Sequence, residues 1–146
     1  MLPYQPEKRT DGMRILMMLL GAVSLLSAQR TIWDGVYNES QADKGSELYD
    51  EHCEVCHGDT INARDGGPPL LGAEFRSNWD GKTLGDFFER IRTSMPLQKP
   101  QSLDRTVLAN IVAYLLRINA FPSGKMELIP TRENLAGIKF LAYPPK

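Results

Sequence analysis

Cys53-Glu54-Val55-Cys56-His57 is the stretch on which the reading of this chain turns. Two thiols stand three positions apart, and an imidazole directly follows the second. The chain holds no other cysteine and one further histidine, His52. Structural zinc needs about four ligands, and His52, Cys53, Cys56 and His57 crowd together with no second pair elsewhere, which argues against it. A thioredoxin-like redox pair sits in an alternation of strands and helices, and no convincing strand pattern occurs. An exported pair of cysteines usually becomes a disulfide, but a histidine immediately after the second points elsewhere.

The spacing matches C-x-x-C-H, a haem attachment signature. Two thiols add across the two vinyl groups of one porphyrin, and two intervening residues in a helical turn set them at a matching separation. His57 then falls under the iron as proximal ligand, its other ring nitrogen donating to a backbone carbonyl. The carbonyl of Pro68 is the expected acceptor. Met95 is the expected distal ligand: a neutral, soft thioether favours ferrous iron and raises the potential. Pro96 drives Met95 out of helical geometry, which ends the preceding helix and places the sulfur on a loop. Met126, the other methionine beyond residue 28, lies in a polar tail without an adjacent proline.

The flanking sequence predicts helices. Ser40-Gln41-Ala42-Asp43 reads as a capping box, after which Gly45, Leu48, Tyr49, Cys53 and Cys56 recur at spacings of three and four. One helix therefore carries the cysteines on its apolar face, and Gly45 on that face predicts a close helix crossing. Thr83-Leu84-Gly85-Asp86 opens a second helix bearing Phe87, Phe88 and Ile91 and stopping before Met95. A third helix, residues 102–119, presents Leu108, Ile111, Tyr114 and Leu115 on one side and is the natural partner of the first. Residues 58–82 read as a long loop wrapped around the cofactor, with Leu70, Leu71 and Phe75 sealing its edge. Trp79 reads either as an indole donor to a haem propionate or as ordinary packing. Arg90 and Arg92 read either as propionate partners or as solvated helix residues. Residues 121–146 form a tail that wraps the domain, with a helical turn near residues 132–137, or docks a partner. The fold class is all-α: three to four helices and long loops around one covalently bound haem.

Lysines and arginines number 17 against 18 acidic residues, a net charge of −1 that gives nucleic acid no purchase. A length of 146 residues suits one domain. After Arg14, residues 15–26 are almost wholly apolar and lead into Ser27 and Ala28, which reads as a secretory signal cleaved near Ala28 and places the protein in the periplasm. Leu26 is large for that cleavage site, so an uncleaved anchor is the alternative, and the membrane is a partner only in that case. Residues 1–12 carry two prolines and two acids, which suit a leader poorly, so Met13-Arg14 reads better as the true start. The division expected is residues 1–28 signal, 29–39 lead-in, and 40–146 functional domain, with the tail from about residue 120.

From about Ser40 to Asn119 the chain resembles the class I cytochrome c family, through Gly45 and Tyr49, Cys53 to His57, Gly67-Pro68-Pro69-Leu70, Met95-Pro96 and Tyr114. The resemblance implies a cytochrome c fold with one edge-exposed haem c, His57 and Met95 axial, and Pro68 and Leu70 beside the haem; the doubled proline leaves that register open by one residue. Trp33-Asp34-Gly35-Val36-Tyr37, Trp79, Thr83-Leu84 and Met95-Pro96 are similar to mono-haem cytochromes associated with periplasmic quinoprotein dehydrogenases. That likeness implies a pyrroloquinoline-quinone dehydrogenase as donor and a cytochrome or terminal oxidase as acceptor. Transfer of single electrons is the expected function, because Met95 fills the iron position that an enzyme leaves open. The alternatives are a haem enzyme or small-ligand sensor with a displaceable Met95, and a haem-bearing subunit of a larger dehydrogenase.

Overall fold

Asn38, not Ser40, opens the first long helix: its side-chain oxygen accepts from the Gln41 amide at 2.8 Å. The computed structural model describes residues 29–58 and 67–146; the expectations for the signal segment and for residues 59–66 lie outside the described residues. The chain runs β1 (Arg30–Thr31), α1 (Glu39–His52), α2 (Glu54–His57), α3 (Gly72–Trp79), α4 (Leu84–Ser94), α5 (Arg105–Ile118), α6 (Arg132–Ala136) and β2 (Ile138–Lys139). With Asn38 as the cap, the side chains of Gln41 and Asp43 are released for distant partners. Gln41 pairs with the backbone of Leu128 in both directions, at 2.7 and 3.2 Å, and Asp43 pairs with Arg117.

The other caps follow the same chemistry. Thr83 and Asp86 form the expected reciprocal box at the start of α4, with bonds of 3.0 and 2.8 Å. The third long helix begins at Arg105 rather than residue 102, because the Asp104 carboxylate accepts from the Thr106 amide at 2.7 Å and supplies the cap there. Helices α1 and α5 form the central crossing. A Cβ on Gly45 would lie 1.8 Å from the Asn110 carbonyl oxygen, so only glycine lets the two backbones approach this closely.

Two parts of the fold depart from the sequence expectation. Within the anticipated loop, residues 72–79 form α3, which has no side-chain cap; its Phe75 stands edge-on to Phe87 at 5.5 Å and Phe140 at 6.0 Å. Tertiary packing, not a local signal, makes this helix. The chain also contains strands, short ones: β1 and β2 pair in parallel, Arg30 with Ile138 and Thr31 with Lys139. Pairing between residues so far apart leaves no two-residue periodicity to read.

The tail wraps the domain and enters its core. Phe121, Leu128, Leu135, Ile138 and Phe140 are all buried, and the helical turn expected near residues 132–137 is α6. Its N-terminal counterpart is equally committed: the Trp33 indole donates to the Leu141 carbonyl at 3.0 Å and the Tyr37 hydroxyl to the Phe121 carbonyl at 2.7 Å. Among the described residues no helix is long and apolar enough to cross a membrane.

Candidate functional site

Cys53 closes α1, and a single tight turn carries the chain from there to His57. The amides of Cys56 and His57 both donate to the Cys53 carbonyl, at 3.2 and 3.0 Å, so both sulfurs and the imidazole leave one short helical segment together. The Tyr49 hydroxyl, one turn earlier, donates to the Gly58 carbonyl at 2.9 Å and pins the residue after His57. Cys53 and Cys56 are free thiols, not a disulfide. Burial, with Cys56 beside it, pushes the Cys53 thiol up to about 12. Among the described residues no group of three or more His, Cys, Asp and Glu could hold a metal ion.

His57 is buried, and its Nδ1 lies 3.1 Å from the Pro68 carbonyl oxygen. A carbonyl only accepts, so Nδ1 carries the proton and Nε2 is left with the lone pair that a metal takes. Pro68 is thus the acceptor, which fixes the register of the doubled proline. Two features hold it there. A Cβ on Gly67 would meet the Cys56 carbonyl oxygen at 2.8 Å and His57 Nδ1 at 3.1 Å, so glycine is what allows this segment to lie against the imidazole. The buried Asn119 side chain accepts from the Gly72 amide at 3.0 Å and donates to the Leu70 carbonyl at 2.8 Å, tying the segment to the end of α5. Sequence reasoning took Asn119 only as a helix end; no local signal marks it, because its partners are remote in the chain.

The cysteines and His57 line a cavity of about 460 Å³ that also meets Pro68, Leu70, Trp79 and Met95. Cys53, Cys56, His57, Pro68, Leu70, Trp79 and Met95 therefore border one space. Met95 closes α4 in extended geometry, φ −125° and ψ 149°, as Pro96 requires. Met126 is 73% exposed and is not among the residues lining this cavity. Leu71 does not line it either, since it serves as the residue preceding α3, while Leu70 and Phe75 do. The two arginines separate: Arg92 turns to Glu89 at 2.6 Å, and Arg90 borders the cavity. Trp79 packs edge-on against Phe87 at 4.8 Å while bordering the same space. Asn78, Lys82, Ser94 and Gln98 also border it and were not singled out in the sequence.

Residues 40–115 match the family described as cytochrome c oxidase, cbb3-type, subunit III. The chain belongs to this cytochrome c family. Among solved structures, the sulfane dehydrogenase SoxCD from Paracoccus pantotrophus is similar in fold, with a TM-score of 0.50 and 20% identity over 96% of this chain and 68% of that one. No curated protein matches the chain. The cytochrome has the all-α fold expected, its cofactor is haem c, and its role is electron transfer.

The cavity fits that cofactor. Its walls are mostly apolar, its thiols are free and adjacent, and a histidine with a committed Nδ1 follows them. Among the described residues, the cationic side chains bordering it are Lys82 and Arg90 and no carboxylate lines it, which suits a ligand carrying two propionates. When bound, haem c supplies an iron that passes between ferric and ferrous states.

Proposed function

We propose that this cytochrome is a periplasmic one-electron carrier. In this reading Cys53 and Cys56 hold the haem by thioether bonds, and His57 and Met95 are its axial ligands. Electrons enter from a dehydrogenase of the quinoprotein class and leave to a further cytochrome or a terminal oxidase. The observation that carries the reading is that Met95 borders the same cavity as the Cys53–His57 turn, with His57 Nδ1 already bonded to Pro68. With Met95 as well as His57 holding the haem iron, no position would be left open for substrate. Val55 and Leu97, 74% and 68% exposed, border the cavity from outside and give an apolar rim for brief docking. Carbon monoxide mixed with the reduced protein is expected to bind slowly; rapid binding supports the ligand-sensor reading instead.

The donor class rests on resemblance alone. Trp33 and Tyr37, which carry much of that resemblance, are bonded to the tail, and Val36 beside them is buried. A second reading has support of its own: the matched family is described as an oxidase subunit, and the similar structure is a dehydrogenase, so a haem-bearing subunit of a larger redox assembly uses the same site. Fractionation of the native cell distinguishes them. A monomer released with the periplasmic contents supports the free carrier, and co-purification with a large membrane or dehydrogenase complex supports the subunit.

A further inference from the structure

Residues 95–104 join α4 to α5, beginning with Met95 itself. Two backbone hydrogen bonds shape this loop: the Lys99 amide donates to the Pro96 carbonyl at 2.9 Å, and the Gln101 amide to the Arg92 carbonyl at 3.2 Å. Glu89 lies behind it, in the middle of α4. Its Oε2 accepts from Arg92 Nε at 2.6 Å and its Oε1 from Arg105 Nη1 at 2.8 Å. Arg92 offers its backbone to the loop and its side chain to Glu89, while Arg105 is the first residue after the loop. One carboxylate thus grips the segment at both ends. Arg105 is held further by the Pro130 carbonyl at 2.8 Å and by the Phe88 ring, 4.7 Å beneath its guanidinium. Its Nη2 is buried without an acceptor, so loss of the carboxylate leaves the guanidinium poorly compensated.

We infer that Glu89 is a positioning residue for Met95: by clamping Arg92 and Arg105 it holds the ends of the 95–104 loop so that the sulfur stays at the cavity and outside ligands are kept from the iron. This rests on Met95 being the sixth ligand. An outside ligand binds the state in which the loop has moved away, and its apparent affinity scales with the population of that state. The ion pairs are partly exposed, with side-chain accessibilities of 27–37%, so solvent screening keeps the effect moderate.

The test is imidazole titration of the oxidised holoprotein at about pH 8, where free imidazole is neutral, followed through the far-red sulfur-to-iron band. Wild type, E89Q and R117Q are compared. Arg117 pairs with Glu39 and Asp43 across α1 and α5, so R117Q removes a comparable ion-pair cluster that does not touch the loop. E89Q is expected to keep the band before titration, to bind imidazole about fivefold more tightly than wild type, and to exchange the Gln101 amide faster; R117Q is expected to match wild type. Equal affinity in E89Q and wild type overturns the inference, as does an equal shift in R117Q, which indicates general loosening. Should E89Q not fold, R92Q, which cuts one arm of the clamp, is expected to show a smaller shift in the same direction, and no shift there overturns it. A wild-type spectrum with no far-red band overturns the ligand reading itself, whereas a band with unchanged affinity overturns only the clamp.

Discussion

At His57 three neighbours set the ring: the Pro68 carbonyl receives its proton, Gly67 makes room beside it, and Asn119 fixes the segment that carries both. The first of these was legible, because C-x-x-C-H demands an acceptor for the ring and the Gly67-Pro68-Pro69 run offers one. Asn119 was not, since a carboxamide that satisfies backbone groups forty-odd positions away leaves no local pattern. Its substitution is a direct measure of that bracing. N119A strips three hydrogen bonds from a buried site and is expected to cost about 2–4 kcal/mol in denaturant unfolding. It is also expected to raise the reduction potential, because a loosened Pro68 carbonyl makes His57 a weaker electron donor. A loss below about 0.5 kcal/mol with an unchanged potential contradicts the bracing role.

Among the elements, those with strong local signals were the readable ones. The Thr83-Asp86 box fixes the start of α4, Pro96 fixes its end, and Gly45 marks where α1 and α5 cross. Helix α3 and the paired strands escaped because long-range contacts make them: Phe75 of α3 packs on Phe140 of the tail, and Arg30 finds Ile138 only in the folded chain. The tail was open between wrapping and docking, and its burial decides for wrapping. Phe140 is fully buried and sits edge-on to Phe75, Phe87 and Phe121 at 5.5–6.0 Å, so F140A is expected to destabilise the protein by about 3–5 kcal/mol. Chemical denaturation checks this; a loss under about 1 kcal/mol makes the tail peripheral after all.

For the whole molecule, charge enters through a few carboxylates that the fold favours in ionised form. Burial pushes the Glu89 carboxyl up, but hydrogen bonds from Arg105 and Arg92 outweigh it and hold the group below its ordinary value of 4.5. Thr83 does the same for Asp86 through the capping box. A carboxyl depressed in the folded state binds protons more readily when unfolded, so its contribution is fully present above the unfolded value and is lost as pH falls through the folded one. Thermal stability is therefore expected to hold from pH 7 to about 5 and to drop below about 4. E89Q should show a shallower acid decline than wild type, and an equally steep decline removes Glu89 from that account.

The cavity, its cysteines and His57 were all implied by five consecutive residues; the assignment of Met95 needed the proline beside it and the helix that ends there. That assignment decides between an electron carrier and a ligand-binding haem protein. The absorption spectrum of the oxidised holoprotein, scanned in the far red for the weak sulfur-to-iron charge-transfer band and repeated on M95A, tests it most directly. The account predicts a band in the wild type that is absent from the variant. A wild-type spectrum without the band, or a band that survives in M95A, contradicts it.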